Sequence, residues 1–170
     1  KLFRNFSHYG FTQLSKALTR FSSLTTLSID FANESSISDH GLSHFRDALQ
    51  TLTSLSTLSL SSLWSEKSSQ AIELISQGFG PLIQLRNLSL DFRGCAGQKS
   101  TTIQTLSSHL ENLKLLKRLD LDLASCSFID DTDIVSLTQG LEPLKDLTHL
   151  NINLTHIEGL TNQGLKSLLS

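Results

Sequence analysis

The sequence predicts a right-handed α/β solenoid: strand–helix units chained in one direction, a parallel sheet on one side and helices on the other. Three observations carry this. One template begins at Leu24, Leu55, Leu85, Leu116 and Leu147, at separations of 31, 30, 31 and 31 residues. Inside each copy, apolar residues alternate with polar ones at a period of two, as in a strand with one buried face. Between copies the apolar spacing changes to three and four, the stripe of an amphipathic helix. The 170 residues suffice for one domain with a core, and residues 1–170 are read as one such domain.

Taken in order, the first element is a helix. Phe11, Leu14, Leu18 and Phe21 follow Gly10 at helical spacing. Strand segments follow at 24–31, 55–60, 85–92, 116–123 and 147–154, with Leu27/Ile29, Leu58/Leu60, Leu88/Leu90, Leu119/Leu121 and Leu150/Ile152 as their inward pairs. Helical stripes separate them. These are Leu42, Phe45, Leu49 and Leu52; Ile72, Ile75, Phe79 and Leu82; Ile103, Leu106, Leu110 and Leu113; and Ile134, Leu137, Leu141 and Leu144. Asp39 and Asp131 stand where a carboxylate caps free amides and opposes the helix dipole. Pro81 and Pro143 fall near helix ends, where a missing N–H costs least. A last helix starts at Gly164-Leu165, for six helices around five strands.

The Leu-x-x-Leu-x-Leu segment, its loop and its Gly/Asp-introduced helix resemble leucine-rich repeats of the ribonuclease-inhibitor-like class. The resemblance covers residues 6–170 and implies a horseshoe with the parallel sheet on the concave face and helices on the convex face. The repeats are longer than the family's usual unit and look like those common in single-celled eukaryotes. The family's buried Asn/Cys ladder is displaced. Its place holds Ala32, Leu63, Arg93, Ala124 and Thr155, while Asn33, Cys95 and Cys126 come one or two positions later. A longer turn after each strand is expected.

Charge is nearly balanced, 14 basic against 16 acidic residues, which makes no electrostatic case for nucleic acid. No apolar run approaches the ~20 residues of a membrane-spanning helix. Cys95 and Cys126 occupy equivalent positions of adjacent repeats. They are read as buried thiols suited to a reducing, cytoplasmic setting, and a disulfide across neighbouring rungs is the alternative. His40 and His44 lack the Glu of a hydrolytic zinc motif, and Asp130-Asp131-Thr132-Asp133 lacks the Gly and closing Glu of a calcium loop. No phosphate loop, nucleophile elbow or nucleophile–base pair is present. No enzyme activity, cofactor or metal is therefore expected. Sequons at Asn5, Asn33, Asn87 and Asn153 are read as mostly accidental, because a glycan on a strand would crowd the sheet.

The concave face is where binding is expected. Its third column reads Thr26, Thr57, Asn87, Arg118 and His149; its fifth Ser28, Ser59, Ser89, Asp120 and Asn151; its seventh Asp30, Ser61, Asp91, Asp122 and Asn153. All are polar, as a merely solvated sheet would also be. The candidate site is Asp30, Asp91, Arg118, Asp120, Asp122, His149, Asn151 and Asn153, with Arg86 and Lys117 at its edge. Such a face favours a protein or peptide carrying basic residues opposite the aspartates. Trp64 is read as a loop cover, or as a hot spot if exposed. Apolar termini (Leu2, Phe3 and Phe6 at one end, Leu168 and Leu169 at the other) suggest a piece of a longer chain whose open ends meet further repeats or subunits. The expected role is a non-enzymatic binding or scaffold module. The alternatives are a packing subunit of a fixed assembly, a regulatory segment of a larger enzyme, or an extracellular receptor domain.

Overall fold

The computed structural model describes residues 8–31, 38–62, 70–95 and 101–167. Eleven elements alternate along them: α1 (His8–Leu18), β1 (Thr26–Asp30), α2 (Asp39–Leu49), β2 (Thr57–Ser61), α3 (Ala71–Gln77), β3 (Asn87–Asp91), α4 (Thr102–Leu110), β4 (Arg118–Asp122), α5 (Asp131–Leu141), β5 (His149–Asn153) and α6 (Asn162–Ser167). The strands form one sheet in the order β1-β2-β3-β4-β5, every pair parallel. Each strand starts two residues after the first leucine of its template. That leucine belongs to the turn entering the strand.

The sheet is stapled at the strand starts. The carbonyl of the residue before each strand accepts two amides from the next repeat: Ser56 and Thr57 on Thr25, Arg86 and Asn87 on Ser56, Lys117 and Arg118 on Arg86, Thr148 and His149 on Lys117. This repeated fork fixes the register. It aligns Leu58, Leu88 and Leu119, and likewise Leu60, Leu90 and Leu121, in buried rows that are at most 2% exposed.

The helices are a turn shorter than their apolar stripes. Leu52, Leu82, Leu113 and Leu144 lie past the helix ends yet stay buried. Each closes a tight turn by donating its N–H to the residue three earlier and accepting from the residue three later. Neighbouring helices approach closely where side chains are small. A methyl group on Gly140 would lie 2.7 Å from the Ser107 carbonyl oxygen of the adjacent helix. Ser107 itself turns its hydroxyl back to the Ile103 carbonyl at 2.7 Å and so buries no unpaired donor.

The expected caps are shifted by one residue. Ser38, not Asp39, caps α2, and Asp130, not Asp131, caps α5 in a capping box with Asp133. Asp39 and Asp131 instead reach forward to the next repeat, Asp39 accepting from the Gln70 amide at 3.1 Å and Asp131 from the Thr161 amide at 2.8 Å. They tie one helix start to the next.

A turn leads out of each strand toward the next helix. In the last three repeats it passes through one left-handed residue: Gly94 (φ 70°), Ser125 (φ 60°) and His156 (φ 57°). The residue after each one is buried: Cys95, Cys126 and Ile157. The apolar ladder under the turn thus sits two positions later than in the family pattern.

Candidate functional site

Register places the polar columns in straight rows across the sheet, so Asp91 stands beside Asp122 and Ser89 beside Asp120, while Asn151 and Asn153 flank them on β5. Adjacent strands lie about 4.8 Å apart, and alternate residues along a strand about 6.6 Å apart. Three carboxylates therefore share one small patch. They line a trough of about 510 Å³ with Ser61, Ser89, Asn151 and Asn153. Five of the eight candidate residues meet there: Asp91, Asp120, Asp122, Asn151 and Asn153.

The other three lie outside the trough. Arg118 borders a shallower hollow of about 200 Å³ over β2–β4 together with Asn87 and Asp120. His149 is exposed at the start of β5, its Nδ1 3.0 Å from the Thr148 hydroxyl. Asp30 is on the edge strand β1, aligned with Ser61, two strands from Asp91. The sequence column unites residues that the sheet separates.

The trough's acids are not bare. Arg118 grips Asp120 through Nε (2.8 Å) and its terminal nitrogen (3.3 Å). Arg93 grips Asp91 through Nε (3.0 Å) and its terminal nitrogen (2.8 Å), and its Nε lies 3.5 Å from Asp122. Partial burial pushes the Asp91 carboxyl upward, but the hydrogen bonds and charge of Arg93, with the Ser62 amide, outweigh it and hold the group below the usual carboxylate range. Asn153 donates to Asp122 at 3.1 Å, and Asn151 to Asp120 at 3.4 Å. Sequence reasoning missed Arg93. It stands where the family's buried ladder residue is expected, but beside left-handed Gly94 it is exposed and paired with Asp91.

The seventh column also has a structural task. Asp91 accepts the Arg93 amide at 3.1 Å, Asp122 the Ala124 amide at 3.0 Å, and Asn153 the Thr155 amide at 3.2 Å. Each holds the turn that leaves its strand, as Asx side chains do. The recurrence of Asp or Asn at this column was the available signal. Asn87 and Asn153 are half-buried, and Asn87 donates to the Thr57 hydroxyl at 3.2 Å. A glycan on either would displace these bonds.

Elsewhere, Cys95 and Cys126 are buried free thiols. Burial pushes both pKa values up, that of Cys126 to about 11, so neither is a reactive thiolate. The His40 and His44 rings lie edge to face, 4.6 Å apart. Among the described residues no group of three His, Cys, Asp or Glu side chains is placed to hold a metal, and no helix is long and apolar enough to cross a membrane. Trp64, Leu63, Asn5, Asn33 and the apolar termini lie outside the described residues.

No protein-family model matches the sequence, and no curated protein matches it. The architecture does have counterparts. The C-terminal domain of tropomodulin from Caenorhabditis elegans superposes with a TM-score of 0.62 at 10% identity, over 91% of this chain and 89% of that one. This chain is a leucine-rich-repeat solenoid. An internalin of Listeria monocytogenes aligns over 89% of this chain and 54% of its own, at 14% identity and a TM-score of 0.29, an overlay too loose to carry weight. At such identities the likeness concerns the fold alone. What the leucine-rich-repeat sheet binds must be argued from its own side chains.

Proposed function

We propose that this leucine-rich-repeat chain is a non-enzymatic recognition or scaffold module whose concave face, over β3–β5, takes a protein or peptide carrying basic residues. One observation carries the reading: Asp91, Asp120 and Asp122 converge on a trough already occupied at its rim by two guanidinium groups, Arg93 and Arg118. The sheet thereby displays the chemistry of its ligand. A partner's arginine can replace or extend these intramolecular pairs in the same bidentate geometry. Exposed ion pairs are worth little each, so exchange is energetically inexpensive and specificity comes from several contacts held in rows by a rigid sheet. Arg118, His149, Asn151 and Asn153 supply the polar rim, and Asp30 the far edge.

On the same reading the chain is one domain of a longer protein, close to the ribonuclease-inhibitor-like class of repeats. It works in a reducing, cytoplasmic setting consistent with two free thiols.

The test is charge reversal. An array of arginine- and lysine-bearing peptides should bind the native chain, and Asp120→Lys/Asp122→Lys should lower that binding at least ~10-fold, roughly the loss of one buried charge contact or more, with the far-ultraviolet dichroism unchanged. Equal binding by the folded double variant moves the interface off this face.

A further inference from the structure

The two strands that supply the acids of the trough carry the opposite charge at their other ends. Asp91 and Asp122 stand side by side where β3 and β4 leave the sheet. Arg86 and Lys117 stand side by side where the same strands enter it, because the Arg86 carbonyl accepts the Lys117 amide at 2.8 Å. Lys114 lies in the turn just before, and residues 111–118 hold three bases against one acid, Glu111. Arg86, Lys114 and Lys117 are all exposed.

Like charges held next to each other weaken a sheet, and an opposite charge relieves them. At the strand exits Arg93 supplies that charge, reaching both Asp91 and Asp122. The strand entries have no equivalent among the described residues. Arg118 is engaged by Asp120, and no described carboxylate forms an ion pair with Arg86, Lys114 or Lys117. The two ends are joined across the concave face. Asp120 lines the trough of about 510 Å³ and also the hollow of about 200 Å³ that reaches Arg118 beside Ser89 and Asn87. From Arg86 to Asp91 the strand covers about 16 Å, at ~3.3 Å per residue.

We propose that this face is bipolar and that its partner is an extended protein segment with basic residues at one end and acidic residues about five positions away. The basic end sits in the trough and the acidic end on the Arg86–Lys117 rim. An extended segment rises at the same ~3.3 Å per residue as the strands beneath it, so one spacing serves both. The trough end of this arrangement rests on the function proposed above; the rim end rests on bases that no described acid neutralises. Charge at two places fixes how the segment lies, since the reversed placement sets base on base and acid on acid.

Three synthetic peptides test this on the native chain. One is bipolar, with paired arginines and paired glutamates about five residues apart. The second has the same composition with its charges interleaved, and the third has glutamines in place of the glutamates. The bipolar peptide should bind at least ~5-fold more tightly than the interleaved one, the combined effect of a few exposed ion pairs. Arg86→Gln/Lys117→Gln keeps the main-chain fork and its dichroism, and should abolish that preference while the basic peptide binds no more weakly than before. Equal binding of the bipolar and interleaved peptides, or a preference that survives Arg86→Gln/Lys117→Gln, overturns the rim and leaves the trough standing. A basic peptide that fails to bind the native chain removes the trough, and the bipolar arrangement with it. Displacement of the bipolar peptide by an equal concentration of single-stranded oligonucleotide assigns the rim to phosphate and also overturns the proposal.

Discussion

At the scale of single residues, two aspartates of one strand have different duties. Asp122 holds the Ala124 amide, the Asn153 side chain and the edge of Arg93; it belongs to the turn as much as to the surface. Among the described residues, Asp120 is hydrogen-bonded to the side chains of Arg118 and Asn151. Asp122→Ala should therefore cost about 1–2 kcal/mol, the usual price of an orphaned amide plus a lost cross-strand bond. Asp120→Ala should stay within ~0.5 kcal/mol of the native chain. Urea unfolding of both variants measures the difference, and equal losses would mean that the turn does not depend on its Asx residue. The polarity of these columns was legible in the sequence, since a period of two sorts inward from outward residues without ambiguity. Arg93 was not. Its direction depends on the turn after β3, whose path through left-handed Gly94 no periodicity encodes.

Elements are coupled to each other through the helix layer as well as through the sheet. Gly140 on α5 meets the Ser107 backbone with no room for a methyl group, whereas Gly80 has nothing within 4 Å of the same added atom. Gly140→Ala is expected to destabilise by about 1–3 kcal/mol, the range for overpacking. Gly80→Ala should be neutral or slightly stabilising. Thermal unfolding of the pair checks this, and a silent Gly140→Ala would mean that α4 and α5 are free to move apart.

The helix-start clamp has a pH signature. Hydrogen bonds from Thr161 hold Asp131 below its ordinary 3.8, and those from Thr132 act likewise on Asp130. A carboxyl depressed in the folded state contributes stability that is complete above 3.8 and is lost as pH falls through its lower folded value. Asp133 runs the other way, because burial raises its pKa. Acidification from about pH 5 to about pH 3 should lower the urea midpoint, and Asp131→Asn should flatten that fall. An unflattened profile in Asp131→Asn would assign the acid sensitivity elsewhere. Helix existence and order were readable from apolar spacing. The clamps were not, because Ser38 and Asp39, like Asp130 and Asp131, are equally good caps on paper, and only the position of the next repeat decides which side chain turns forward.

For the whole molecule, a 31-residue period becomes a surface. The forked amide staple repeats from strand to strand, so any side chain at a given template position stands in register with its equivalents, and aspartates of two successive repeats, Asp91 on β3 and Asp120 and Asp122 on β4, share one trough. That convergence is the basis for proposing recognition of basic partners, and it can be interrogated with a photo-crosslinking side chain placed at Ser89, inside the trough, and at Gln104, on the exposed face of α4. Crosslinks from the native source should form at Ser89, fall on arginine- or lysine-rich segments of the captured protein, and vanish when Asp120 and Asp122 are both reversed to lysine. Crosslinks that form only at Gln104, or that persist at Ser89 in the charge-reversed chain, would contradict the account.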